Sequence, residues 1–210
     1  MSQPPVFDPP VRGQWAIFNP PGHPKLAFDF LAVDDEKSPY QGVGLLTHLF
    51  STVSVTATRA WNMPVFAVRE GTVVAASDGV PDREAICMTR DLLRLMFFRP
   101  KGSPPFSALG GNYVILKCGG AYPLYAHLKN GSVRVRPGDA VRSGEQVGAV
   151  GNSGSSLQPH LHFQVMNTPE PFPLFQNLVP FLVSSLRRRE AGQWVSVDRG
   201  KLANGDHLLL

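Results

Sequence analysis

The chain has 210 residues, enough for one large domain or a domain with additions. Its 20 basic and 16 acidic residues leave a formal charge of +4, too diffuse to argue for a nucleic-acid partner, and 43% hydrophobic residues supply a real core. Twenty glycines and twenty prolines suit a turn-rich β fold better than a helical one.

Residues 1–13, MSQPPVFDPPVRG, are Pro-rich and read as an extended segment. They show no basic stretch followed by an apolar one, so no signal peptide is expected. No run of about 18 apolar residues occurs, so no transmembrane helix is expected. Strand-like segments then follow at 14–19 (QWAIFN), 26–33 (LAFDFLAV) and 65–77 (VFAVREGTVVAAS), the last reading as two strands joined at Glu70-Gly71. Residues 78–109 break this rhythm and read as an insertion. Within it, DREAICMTRDLLRLMFF (82–98) carries Ala85, Met88, Leu92 and Met96 at helical spacing, yet ends in a continuous apolar run that also suits a hairpin. KGSPPFSALGG (101–111) reads as a loop.

Strands resume at 112–118 (NYVILKC), 122–128 (YPLYAHL) and 133–151, where Pro137-Gly138 and Ser143-Gly144 mark turns. HLHFQVM (160–166) closes the set. Beyond residue 175, NLVPFLVSSLRRR reads as a short helix or strand, and QWVSV as a final strand. The Arg187-Arg188-Arg189 run reads as a solvated face. Cys87 and Cys118 form no CxxC and read as ordinary buried thiols. The expected fold is mainly β: an antiparallel sheet with a barrel-sandwich core and a possible short helix in the insertion. The expected division is an extended segment 1–13, a β domain 14–175 interrupted by 78–109, and a tail 176–210 packing on the domain. A monomer is expected.

The six histidines carry the chemistry. Side chains alternate along a strand, so His160 and His162 share one face with Gln164, while Leu161, Phe163 and Val165 share the other. An ordinary wet face would hold Thr, Lys or Glu; a solvated face is the competing reading. A metal explains two imidazoles aimed at one spot better, since zinc takes His nitrogen and wants further ligands. His127 at the end of another strand, and His23 and Asp29 in GHPKLAFDF (22–30), are candidates. Asp29 stands between Phe28 and Phe30 in an apolar strand, where an unpaired carboxylate is costly and calls for a cation. A remote Arg could also supply that charge.

PVFAVREGTVVAAS, GGNYVILKCGGAYPLYAHL and VRPGDAVRSGEQVGAVGNSGSSLQPHLHFQV, in this order, resemble the lysostaphin-type zinc endopeptidases that cleave peptidoglycan peptides. The resemblance implies that family's β fold. It implies Zn²⁺ held by His162, the second histidine of HLH, and by a His and an Asp near the domain's start. It implies catalytic roles for His160, the first histidine of HLH, and for His127 of YAHL. The usual HxGxD arrangement of the first ligands is absent. His23 and Asp29, with five residues between them, resemble a branch with a longer H…AFDF motif. Six extended residues span about 20 Å, so both bind one ion only if the chain loops back, for which Pro20, Pro21, Gly22 and Pro24 supply breakers. His48 is the reserve ligand. Leu157-Gln158 stands where the family often has Thr-Gly.

The expectation is therefore a zinc-dependent endopeptidase acting on cell-wall peptides, with water activated by the metal as nucleophile and His127 and His160 assisting. Such an activity belongs at the cell envelope. The alternative is a catalytically silent member that binds peptide or cell wall. The hairpin rhythm of VRPGDAVRSGEQVGAVG also suits a biotinyl- or lipoyl-type carrier, against which the tip Arg142-Ser143-Gly144 speaks, since it lacks lysine.

Overall fold

The computed structural model describes residues 3–19, 23–44, 47, 51–87, 89–91, 93, 105–171 and 176–210. The strands are β1 (Val6–Phe7), β2 (Gln14–Phe18), β3 (Ala27–Ala32), β4 (Val53–Ser54), β5 (Pro64–Phe66), β6 (Gly71–Ser77), β7 (Ala85–Ile86) and β8 (Asn112–Lys117). They continue with β9 (Tyr122–Leu128), β10 (Ala140–Val141), β11 (Gln146–Ala149), β12 (Leu161–Met166), β13 (Leu182–Glu190), β14 (Gln193–Gly200) and β15 (His207–Leu209). The fold is mainly β, as its turn-rich composition implies.

One large sheet runs in the order β1-β13-β15-β2-β3-β12-β9-β8-β6-β10, with β14 pairing β13 off this path. All its neighbours are antiparallel except β1 against β13. The central strands β3 and β12 are buried along their whole length, as strands with a covered layer on each face must be.

One face of this centre carries Phe28, Phe30, Tyr125, Leu161, Phe163 and Val165. Against it pack Val65, Ala67, Val147 and Val150, from and beside the separate β5–β11 pair, which gives the sandwich. Rings meet edge to face across the seam, Tyr125 and Phe163 at 5.2 Å and Phe30 and Phe163 at 6.3 Å. The Tyr125 hydroxyl, fully inside, accepts the Val68 N–H at 2.9 Å. The opposite face of the same strands carries Asp29, His162 and Gln164.

Residues 34–62 and 78–91 meet through the β4–β7 pair and share a small apolar cluster of Tyr40, Val53, Val55 and Ile86. The 82–98 stretch is thus a strand at Ala85–Ile86 with helical residues at 89–91; residues 88, 92 and 94–98 lie outside the described residues. The loop expected over 101–111 is corrected by a short α-helix, α1 (Phe106–Gly110). Pro105 occupies its N-cap with φ −59°, compatible with starting a helix, and Gly111 ends it at φ 66°. Residues 176–210 supply β13, β14 and β15, which continue the sheet beyond β2. The Arg187–Arg189 run is not simply solvated: Arg188 pairs with Asp206 at 3.1 Å and Arg189 with Asp35 at 3.3 Å. Cys87 is half-exposed rather than buried; Cys118 is buried. Among the described residues no helix is long and apolar enough to cross a membrane.

Candidate metal centre and histidine cluster

Antiparallel register sets the first part of the site. On β3 and β12, Asp29 is the cross-strand partner of His162, and Asp29 Oδ1 lies 2.9 Å from His162 Nδ1. Directly opposed residues project to the same face, so no special backbone is needed for this pair. His160 precedes β12 and points the same way, its Nε2 3.5 Å from Asp29 Oδ1. His23 reaches the same carboxylate from a loop, its Nε2 3.9 Å from Asp29 Oδ1, and stacks edge-on against His162 at 4.9 Å. Asp29 therefore faces three imidazoles, not the remote Arg that the sequence left open.

His127 arrives differently. Phe163 pairs with Tyr125 and His162 with Ala126, so strict alternation would turn His127 into the core beside Tyr125. Instead its φ is +59°, and the β8–β9 register shifts between Asn112 and Val114 at the same place. A bulge with a left-handed residue re-aims the imidazole to the Asp29 face. Its ring centre then lies 4.7 Å from His160 and 5.9 Å from His162.

The four groups Asp29, His127, His160 and His162 are each 7–8% exposed. Such low exposure overturns a solvated polar face. His48 and Pro20-Pro21-Gly22 lie outside the described residues.

Hydrogen bonds fix ring tautomers. His127 Nδ1–H donates to the Ser153 carbonyl at 2.9 Å, and His160 Nδ1–H donates to the Gln158 carbonyl at 2.7 Å. The His127 Nε2 is thus left with its lone pair, whereas the His160 Nε2 faces the Asp29 carboxylate, which outweighs burial and raises the His160 pKa. His162 Nε2–H donates to Gln164 Oε1 at 3.1 Å, which leaves the Nδ1 lone pair facing the Asp29 carboxylate. Two acceptors at 2.9 Å need a positive centre between them, a proton on Nδ1 or a metal cation. The donor set supports the cation. His23, Asp29 and His162 each offer one ligand atom, all within 4.8 Å of one another, and two imidazoles with a carboxylate suit zinc. Gln164 is then the outer partner that orients a ligating histidine.

Charge in the cluster follows the same logic. Burial alone would raise the Asp29 pKa, but His160 and His162 outweigh it and hold the carboxyl well below its usual range. Burial holds His23 below the ordinary imidazole value, against the pull of Asp29. Burial, with His160 and His162 beside it, pushes His127 well down.

Sequence reasoning missed the residues that hold His127 and His160. The Asp82 carboxylate accepts Asn152 N–H at 2.6 Å and Asn130 N–H at 2.8 Å, so it ties the chain after His127 to the chain before Ser153. Asn112, fully buried, donates to Val80 O and Leu128 O, and its N–H meets Ser153 Oγ at 3.0 Å. Tyr40 donates to Gln158 Oε1 at 2.5 Å, on the residue whose carbonyl holds His160. Only Gln158 carried a sequence signal, as a departure from the family pattern. Asp82→Ala strips the acceptor from two backbone donors and is expected to destabilise the fold by about 1–3 kcal/mol. Urea denaturation checks this; an unchanged midpoint would mean that water replaces the carboxylate without cost.

Residues 101–173 match the profile of peptidase family M23. The chain is 31% identical over 87 residues to peptidoglycan DD-endopeptidase ShyA of Vibrio cholerae serotype O1, covering 41% of this chain and 20% of that protein. It is 41% identical over 61 residues to glycyl-glycine endopeptidase ALE-1 of Staphylococcus capitis, covering 29% and 16%. It is 37% identical over 78 residues to lysostaphin of Staphylococcus simulans, covering 36% and 15%. The match thus spans about a fifth or less of these relatives' length. Among solved structures, the catalytic domain of lysostaphin from Staphylococcus simulans aligns at 20% identity and TM-score 0.40, over 75% of this chain and 82% of that one. The deep-sea metalloprotease pseudoalterin aligns at 14% identity and TM-score 0.45, over 97% and 100%.

Proposed function

We propose that the chain, whose residues 101–173 match the peptidase family M23 profile, is a zinc-dependent endopeptidase hydrolysing peptide bonds in bacterial cell-wall peptides. The observation that carries the proposal is the convergence of half-buried His23 with buried Asp29 and His162 beside two further imidazoles. His23, Asp29 and His162 would hold the metal. Zinc, when bound, polarises a carbonyl and lowers the pKa of water to about 7.

The rest is the work of the chain's own side chains. No HExxH glutamate is present to act as base. His127 and His160 have Nδ1 committed to backbone carbonyls, so proton exchange in each ring falls to Nε2, which Asp29 keeps favourable to a proton in His160. Protonated, either can donate a hydrogen bond to the oxygen that gains charge as the carbonyl is attacked. The low exposure of the cluster keeps these interactions out of bulk water, where they would be weaker. Similarity to a peptidoglycan DD-endopeptidase and a glycyl-glycine endopeptidase supports cell-wall peptide as the substrate class.

The test is digestion of purified peptidoglycan sacculi by the zinc-loaded protein, with the released fragments read by mass spectrometry. New amino termini from cleaved stem peptides or cross-bridges are expected, and chelation should abolish them. Tight sedimentation with sacculi, full zinc occupancy and no new termini would sink the peptidase reading in favour of a binding module.

A further inference from the structure

The first ligand motif is longer than the common one, and the structure contains a clamp that closes it. His23 and Asp29 are six positions apart, which extended chain would spread over about 20 Å. They lie instead with His23 Nε2 3.9 Å from Asp29 Oδ1. The chain must fold back between them, and one side chain bridges this fold twice. Asn19 Nδ2 donates to Pro24 O at 2.9 Å and to Ala27 O at 3.0 Å. Ala27 N–H closes the same turn onto Pro24 O at 3.1 Å. The two acceptors bracket Lys25-Leu26, the part of the loop between the two metal-facing residues.

Asn19 is itself fixed. It follows β2, whose last residue, Phe18, pairs with Asp29. Its N–H donates to Asn204 Oδ1 at 3.0 Å, from the loop before β15. The loop carrying His23 is therefore anchored to the end of β2, which pairs with the strand that carries Asp29, and to the loop before β15.

We infer that Asn19 is a positioning residue of the metal centre: its side-chain amide holds the 23–27 loop so that His23 presents its imidazole to the ion bound by Asp29 and His162. This rests on the zinc-site reading above. The residue type is demanding. Two carbonyls must be satisfied by one planar group with two N–H donors. Alanine donates nothing. Aspartate, otherwise the same shape, would face both carbonyls with acceptors.

The experiment measures zinc affinity of the full chain by competition with a chelator, for wild type, Asn19→Ala, His23→Ala and the double variant. Circular dichroism establishes that each is folded. Outer residues that orient a metal ligand are worth about 10–100-fold in affinity, so Asn19→Ala is expected to bind zinc that much more weakly. In the His23→Ala background the same change is expected to cost less than about 3-fold, because the residue it positions is already gone. Asn19→Asp should behave as Asn19→Ala.

Wild-type affinity in Asn19→Ala would overturn the inference. An equal loss in both backgrounds would also overturn it, since Asn19 would then act on the fold as a whole. Absence of zinc from the wild type, or wild-type affinity in His23→Ala, would instead overturn the ligand set, with the clamp falling as a consequence. The double variant therefore separates failure of the clamp from failure of the site.

Discussion

Asp29→Ala and His162→Ala proteins are expected to purify without zinc, whereas the wild type should carry about one zinc per chain. Both residues sit on rigid strands, opposed in register, and their ligand atoms lie 2.9 Å apart. Neither can be replaced by a neighbour that moves in, because β3 and β12 are buried along their full length. Loss of Asp29 has a second consequence. Among the described residues it is the only carboxylate at the cluster, facing His23, His160 and His162. Without it a dication must be held by neutral imidazoles alone. Elemental analysis of the purified variants decides the matter, with His48→Ala as the companion expected to keep its zinc. Full occupancy in Asp29→Ala, or loss in His48→Ala, would move the metal centre elsewhere. Asp29→Asn is the sharper version, since it keeps the volume and removes only the charge.

These residues differ in how readily the sequence discloses them. The His160–His162 pair and the carboxylate in AFDF are visible from strand periodicity, since they break an apolar pattern at alternate positions. Their convergence follows from ordinary antiparallel register. His127 is visible as a motif residue, but its direction is not: alternation places it beside Tyr125 in the core, and only the left-handed φ of +59° brings it to the site. Non-glycine residues pay for that conformation, and no local signal announces it.

The supports of the site are hidden for another reason. Asp82, Asn112, Tyr40 and Asn19 look like ordinary loop or strand polar residues. Most of their partners stand far away in sequence: 32 positions from Asn112 to Val80, 70 from Asp82 to Asn152, 118 from Tyr40 to Gln158 and 185 from Asn19 to Asn204. Long-range pairing of this kind leaves no periodicity. The C-terminal strands were ambiguous because Val183 and Leu186, both buried, are three apart and mimic a helix. The helix at Phe106–Gly110 was masked by Pro104-Pro105, which break a helix interior but are tolerated where one begins.

His127→Ala and His160→Ala are expected to lower kcat on peptidoglycan by about 10²–10⁴-fold each while retaining about one zinc. Retention follows from placement. Neither belongs to the group of three whose ligand atoms converge, and each commits Nδ1 to a carbonyl, Ser153 O or Gln158 O. Loss of rate follows from their Nε2 atoms. His160 Nε2 lies 3.5 Å from Asp29 Oδ1, within one water's reach of the ion that Asp29 would bind, and the His127 ring centre is 4.7 Å from the His160 ring. Two imidazoles so close are expected to act as a unit on one proton and one developing oxyanion, so their losses should not add. The double variant should be little worse than the poorer single one. KM should change far less than kcat, because neither ring is needed to hold the remote parts of the substrate. Stoichiometric zinc lost from either variant would make that histidine a ligand and break the division between holding the metal and moving the proton. Losses that multiply fully in the double variant would mean that the two rings serve separate steps, one before and one after the carbon–nitrogen bond breaks.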